Sequence, residues 1–153
     1  MTTKELQRRE LEDSRALWET CFPNESPEFL DLYFREKYSP SVNLIHYIDE
    51  RPAAVMQLLP YRMRCLGQTV NAGYVSGLCT HPDFRGKGLA KRLLDKAHQR
   101  LHAQGAVFSM LIPGNDDLRH FYTKPSHGAY VTMSYREEAS WLPTGNAYSA
   151  YAI

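Results

Sequence analysis

The chain has 153 residues, 43% of them hydrophobic, the usual size of one compact domain able to bury about 70% of the surface its unfolded form exposes. Lys plus Arg number 18 against 17 Asp plus Glu, which excludes a bulk field drawing the whole molecule to nucleic acid or to an anionic membrane. Residues 1–15 are dense in charge with no apolar run of signal-peptide length, and no stretch approaches the roughly 20 apolar residues of a membrane span, so a cytoplasmic location is expected.

Residues 3–20 carry Leu6, Leu11, Ala16 and Leu17 at loose helical spacing among charges, and Phe22-Pro23-Asn24 stops the pattern. Ser26 and Pro27 then offer an N-cap and a proline at the first helical position. The helix they open is rich in aromatics, with Phe29, Leu30, Leu32, Tyr33 and Phe34, and ends before Ser39-Pro40. That stripe either packs as core or lines a pocket; both readings stand at the level of sequence.

Residues 43–48 are a short β-rich run, 49–52 a turn, and 53–65 a longer strand, together a hairpin. Tyr61, Met63 and Cys65 alternate with Arg62 and Arg64, the period of two expected when one sheet face is buried and the other wet. The two arginines fit either a solvated face or an anionic ligand. Gly67-Gln68 turns the chain into a third strand over 69–80.

Residues 88–104 form the clearest helix, with Leu89, Leu93, Leu94, Ala97 and Leu101 on one stripe and Gln104-Gly105 at its end. Residues 106–112 are nearly unbroken apolar sequence of strand length, which suits a strand covered on both faces. Pro113 to Asp117 opens another helix running to about Tyr122 or Lys124, residues 129–135 read as a strand, and the tail 136–153 is mixed and poorly signalled. Cys21, Cys65 and Cys79 are odd in number and lack the spacing of a zinc site or a disulfide framework, so they read as buried thiols in a reducing compartment, and no metal site is suggested.

The segment from Thr80 through His81-Pro82-Asp83-Phe84 to Arg85-Gly86-Lys87-Gly88-Leu89-Ala90 joins a strand to a strong helix. First-turn amides of a helix lack internal partners and sit at its positive end, so an anion placed there is bonded several times over. Gly86 and Gly88 let backbone approach phosphates, and Arg85 and Lys87 add charge. An ordinary tight turn with a helix start is the alternative reading of a lone glycine pair. The dinucleotide fingerprint needs a third glycine, and the P-loop needs a longer spacing with Lys followed by Ser or Thr; neither pattern is present.

Arg85 to Ala90, with the preceding Gly77-Leu78-Cys79-Thr80-His81-Pro82, resembles the Q/R-x-x-G-x-G/A turn of the GNAT acetyltransferases. Downstream, Asn115, Phe121, Tyr122 and Lys124 resemble that family's N-x-x-A-x-x-F/L-Y-x-K pattern, with Leu118 in place of the small residue. Leu59-Pro60-Tyr61-Arg62-Met63 and the aromatic second helix are similar to the first acetyltransferase domain of enhanced-intracellular-survival-type proteins. Those relatives continue into a second acetyltransferase-like region and a lipid-carrier-like domain, so a stand-alone version and a piece of a longer protein are both expectations for this chain.

The resemblance implies an α+β fold: a mixed, mostly antiparallel central sheet flanked by helices on both faces, its central strands parting near Thr80 and Ile112, as one domain over 1–153. It implies acetyl-coenzyme A as cosubstrate, its pyrophosphate on Arg85, Gly86, Lys87, Gly88, Leu89 and Ala90, its pantetheine arm along Leu78, Cys79 and Thr80. A small-molecule or peptide amine would attack the thioester directly, with positioning and carbonyl polarisation supplying the rate. Tyr122 stands at the position of the family's general acid, or is a core tyrosine beside Phe121; Asn115 is a cofactor contact or a helix cap. Residues 71–80 hold no carboxylate or histidine, so a water relay is expected to take the amine's proton, with His81 and His120 as weaker candidates. Where the family has a short K-x-G-F/Y connection this chain has Lys124-Pro125-Ser126-His127-Gly128-Ala129-Tyr130, which is expected to reshape the acceptor pocket. A homodimer is an expectation by family analogy, and a catalytically silent acyl-coenzyme A sensor or another phosphate-binding module are the alternatives.

Overall fold

The computed structural model describes residues 2–122, 130–133 and 148–152. Among the described residues four helices and six strands follow in chain order: α1 (Thr3–Cys21), α2 (Pro27–Glu36), β1 (Asn43–Ile48), β2 (Arg51–Cys65), β3 (Gln68–Thr80), α3 (Leu89–Ala103), β4 (Phe108–Leu111), α4 (Asp116–Tyr122), β5 (Tyr130–Met133) and β6 (Tyr148–Ala152). A 3-10 turn, Pro82–Phe84, precedes α3. The strands make one sheet in the order β1-β2-β3-β4-β6-β5. β3 and β4 are parallel, while β1 with β2, β4 with β6, and β5 with β6 are antiparallel. The sheet is therefore mixed and mostly antiparallel, as the sequence implies.

The chain divides into two compact units, Met1–Pro60 with Val75–Gln99, and Tyr61–Tyr74 with Arg100–Ile153. In the first, α1 starts on a capping box, Thr2 accepting from the Glu5 amide while Glu5 accepts from that of Thr2. α2 starts on Ser26, whose hydroxyl accepts from the Phe29 amide at 3.1 Å, with Pro27 at the first helical position. Leu17 and Trp18 of α1, Leu30, Tyr33 and Phe34 of α2, Val55 of β2 and Cys79 of β3 form its core. The aromatic stripe of α2 is thus mainly packing: Trp18 stacks at 4.5 Å between centroids on Tyr33 and meets Phe34 edge-on, while Phe29 and Leu32 remain exposed.

β2 is buried without a break from Ala53 to Leu59, the signature of a strand covered on both faces. Its one polar member, Gln57, donates to Asn43 Oδ1 at 3.0 Å, and Ser14 of α1 donates to the same atom at 3.2 Å. This shared acceptor ties α1 to the β1–β2 hairpin. The hairpin turn is narrower than the sequence suggests: Asp49 and Glu50 both take positive φ (46° and 61°), and Arg51 and Pro52 already belong to β2.

In the second unit Leu66 and Gly67, at φ 48° and 78°, form the tip between β2 and β3, one residue earlier than expected. Arg62 and Arg64 are exposed, which suits the wet-face reading, but Tyr61 is exposed too and lies against Tyr74. Leu101 of α3 packs onto Gly73, where a Cβ would collide with its methyls. β4 is shorter than the apolar run and alternates, with Ser109 and Leu111 buried and Phe108 and Met110 half-buried. β6 arises from the tail that carries no clear signal. It lies between β4 and β5, with Phe108 opposite Ala152 and Leu111 opposite Ser149. Of the three cysteines, Cys79 is buried as expected and Cys21 is only half-buried.

Candidate functional site

The strand-to-helix turn lies wholly in the first unit. Phe84 and Leu89 are buried, 6% and 3% exposed, and pin the two ends of an exposed stretch, Arg85 to Gly88. Gly86 and Gly88 take φ of 76° and 72°, the left-handed region that a side chain makes costly. A Cβ at either would meet nothing within 4 Å. Backbone conformation requires these glycines, and the space before them is open.

The first backbone bond into α3 runs from the Arg92 amide to the Gly88 carbonyl at 3.1 Å. The amides of Leu89, Ala90 and Lys91 fall in the first turn, where no intrahelical carbonyl reaches them. The residue that precedes the helix, Gly88, has no side chain with which to cap it. Arg85 donates from Nε to the Thr80 carbonyl at 3.2 Å, bracing the turn against the end of β3. Lys87 places its ammonium 5.1 Å from the centre of the Phe84 ring, and Arg51 places its guanidinium 4.9 Å from the same ring while pairing with Asp83 at 2.8 Å. Arg51 is thus a third cation at this turn. The sequence gives no sign of it, because its partner Asp83 is distant along the chain.

His81 accepts the Asp83 amide on Nδ1 at 3.2 Å, capping the 3-10 turn, and its own amide donates to Ala53 at 2.9 Å. It therefore serves the geometry of the turn. Ala16, Leu17, Thr20, Arg51, Pro52 and His81 line an open hollow of about 250 Å³ nearby, below the 300 Å³ or so at which small-molecule sites begin.

Upstream of the turn, β4 pairs with β3 only over Ala72 to Tyr74, and β3 continues beyond that register to Thr80. Within this continuation Gly77 has φ of 60°, and a Cβ there would overlap the Trp18 indole at Cζ2 and Cε2. The indole nitrogen itself is buried without a hydrogen-bond partner among the described residues. Leu78 and Thr80 are half-buried, and Cys79 between them points into the core. Tyr33 donates from its hydroxyl to Ser76 at 2.8 Å.

Leu78, Cys79, Thr80 and Arg85 to Ala90 thus fall together in one unit, and Asn115 and Tyr122 in the other. Asn115 acts as a cap: its Oδ1 accepts the Leu118 amide at 2.8 Å at the start of α4. Tyr122 closes α4, 6% exposed, edge-on to Phe121 at 5.2 Å between centroids. Burial pushes its phenol up to about 12. The expected pocket-shaping segment 124–129 lies outside the described residues. Among the described residues no cluster of His, Cys, Asp or Glu is arranged to hold a metal, and no helix is long and apolar enough to cross a membrane.

A mixed sheet with a glycine-built, cation-ringed turn between a central strand and its following helix defines an acetyltransferase-type α+β fold. Residues 2–125 match the family model described as Acetyltransferase (GNAT) domain, and the chain belongs to that family. Among solved structures it is similar to a GCN5-related N-acetyltransferase from Anabaena variabilis (20% identity, TM-score 0.65, 74% of this chain and 29% of that one). It is also similar to Eis1 from Mycobacterium abscessus (12% identity, TM-score 0.65, 75% and 29%). A third, PaiA N-acetyltransferase from Thermoplasma acidophilum in complex with coenzyme A, is matched along nearly its whole length (16% identity, TM-score 0.61, 97% and 94%). This chain spans under a third of the Anabaena and Mycobacterium chains. No curated protein matches it.

Proposed function

We propose that the chain transfers the acetyl group of acetyl-coenzyme A to an amine, with the carrier's pyrophosphate on the turn Arg85 to Ala90. The observation that carries this is the exposed pair of left-handed glycines ahead of the first-turn amides of α3, where Gly88 brings no capping side chain. Arg85 and Lys87 supply charge there, and Arg51 adds a third cation. Coenzyme A seats phosphate oxygens on these amides, and Leu78, Cys79 and Thr80 flank its pantetheine arm. Asn115 contributes through the helix start it caps. Tyr122 gives a proton to the departing thiolate, and a water relay takes the proton of the amine. Acceptor identity rests with a small molecule or a peptide amine.

Release of free thiol from acetyl-coenzyme A across a panel of polyamines, aminoglycosides and peptide amines tests the activity. Calorimetric titration with coenzyme A tests the turn separately. Gly86→Ala and Gly88→Ala each put a methyl in the space left for phosphate and strain the backbone, so binding should weaken about tenfold or more. Unaltered affinity in both variants would remove the pyrophosphate from this turn. Tight binding with no thiol release for any amine would instead favour an acyl-coenzyme A sensor.

A further inference from the structure

Two thiols meet where the last turn of α1 passes the end of β3. Cys21 Sγ donates to the Thr80 carbonyl at 3.5 Å, and Cys79 Sγ donates to the Leu17 carbonyl at 3.9 Å. Thr80 follows Cys79, and Leu17 lies one helical turn before Cys21, so each thiol reaches the backbone beside the other. The Thr80 carbonyl also accepts Arg85 Nε, which brings a guanidinium to the same spot. Cys21 is half-buried and reachable by a small oxidant; Cys79 is buried behind it.

The chemistry of the two sulfurs is unequal. The neighbouring Cys79 thiol, with the nearby Arg85 charge, overcomes the effect of burial and lowers Cys21 to about 7. The Cys21 neighbour, with burial, pushes Cys79 up. A thiolate is the nucleophilic form of cysteine, and a cation beside it is the usual setting of a reactive one.

We propose that Cys21 and Cys79 are a peroxide-oxidised dithiol, Cys21 being the attacked sulfur and Cys79 the resolving one. The Cys21 thiolate attacks one oxygen of hydrogen peroxide, the O–O bond breaks, and the hydroxide released is protonated to water, leaving Cys21 as a sulfenic acid. The Cys79 sulfur then displaces hydroxide from that sulfenic sulfur, forming the S–S bond, and its own proton leaves with the hydroxide as water. The two thiols together lose two electrons, which the peroxide takes up. Because Cys79 is held as a thiol, resolution is the slower step. The disulfide would fasten the end of α1 to the strand that leads into the turn. This proposal does not depend on what the turn binds.

The test treats the reduced full chain with hydrogen peroxide and maps the products by non-reducing mass spectrometry. We expect two of the three cysteines to be consumed, a cross-linked pair of peptides containing Cys21 and Cys79 that is lighter by two hydrogens, and reversal by dithiothreitol. Cys65→Ser should keep the cross-link and Cys21→Ser should abolish it. In Cys79→Ser, Cys21 should accumulate as a sulfenic acid trapped by dimedone. The Cys21 alkylation rate should level off above about pH 7 in the parent, and at higher pH in Arg85→Ala. Recovery of Cys21 as sulfinic acid beside an unreacted Cys79 in the parent, or a disulfide to Cys65, would overturn the proposal.

Discussion

Replacing Tyr122 with phenylalanine should slow acetyl transfer by about 10²-fold or more, the lower end of what a positioned general acid contributes. Thiol release at saturating acetyl-coenzyme A and amine measures it. The loss should fall on kcat, with the KM for acetyl-coenzyme A changing by no more than about twofold, because a proton given only as the thiolate departs is a transition-state interaction. The phenol's surroundings set the pH dependence. Burial disfavours the charged phenolate, so the folded value rises to about 12, and the neutral form able to give a proton persists through neutral and mildly alkaline solution. Rate lost through Tyr122 ionisation should set in only as pH approaches that value. Phenylalanine keeps the ring and its edge-on contact with Phe121, and a thermal melt recorded beside the rate separates lost chemistry from lost fold. A parent-like rate in the variant removes the acid role.

Gly77→Ala should be the most damaging single methyl in the first unit. Left-handed backbone costs a non-glycine residue about 1–2 kcal/mol, and crowding a packed core costs about 1–3 kcal/mol more. Together these reach about 2–5 kcal/mol, a large share of the roughly 5–15 kcal/mol by which a domain is stable. Denaturant unfolding followed by circular dichroism reads the change. Gly67→Ala isolates the backbone part, since Gly67 has φ of 78° with nothing within 4 Å of a Cβ; it should lose only about 1–2 kcal/mol. If Gly77→Ala unfolds at the same midpoint as Gly67→Ala, the Trp18 contact carries no weight.

How much was legible in the sequence depended on whether a signal was local. The stripe Leu89, Leu93, Leu94, Ala97 and Leu101 names the buried face of α3 residue by residue, and all five are at most 3% exposed. The Ser26-Pro27 start of α2 is a local signal too, realised as a capped helix. β6 carries none: Tyr148-Ser149-Ala150-Tyr151-Ala152 is short and of mixed size, and its place follows from pairing with β4, some 40 residues earlier in sequence. The same holds at the turn. Its glycines are visible in the sequence, whereas Arg51 reaches it across the hairpin to Asp83. Asn115 could be read two ways, and the structure gives its side-chain oxygen to the Leu118 amide. The meeting of Cys21 and Cys79 depends on how α1 lies along β3, which no spacing encodes.

Trp18 occupies the volume that any side chain at position 77 would need, and this makes helix and strand a single mechanical part. The indole that fills this volume is itself held among Tyr33, Phe34 and Phe22. Whatever loosens that aromatic cluster would be felt first in the backbone leading from Gly77 to Arg85.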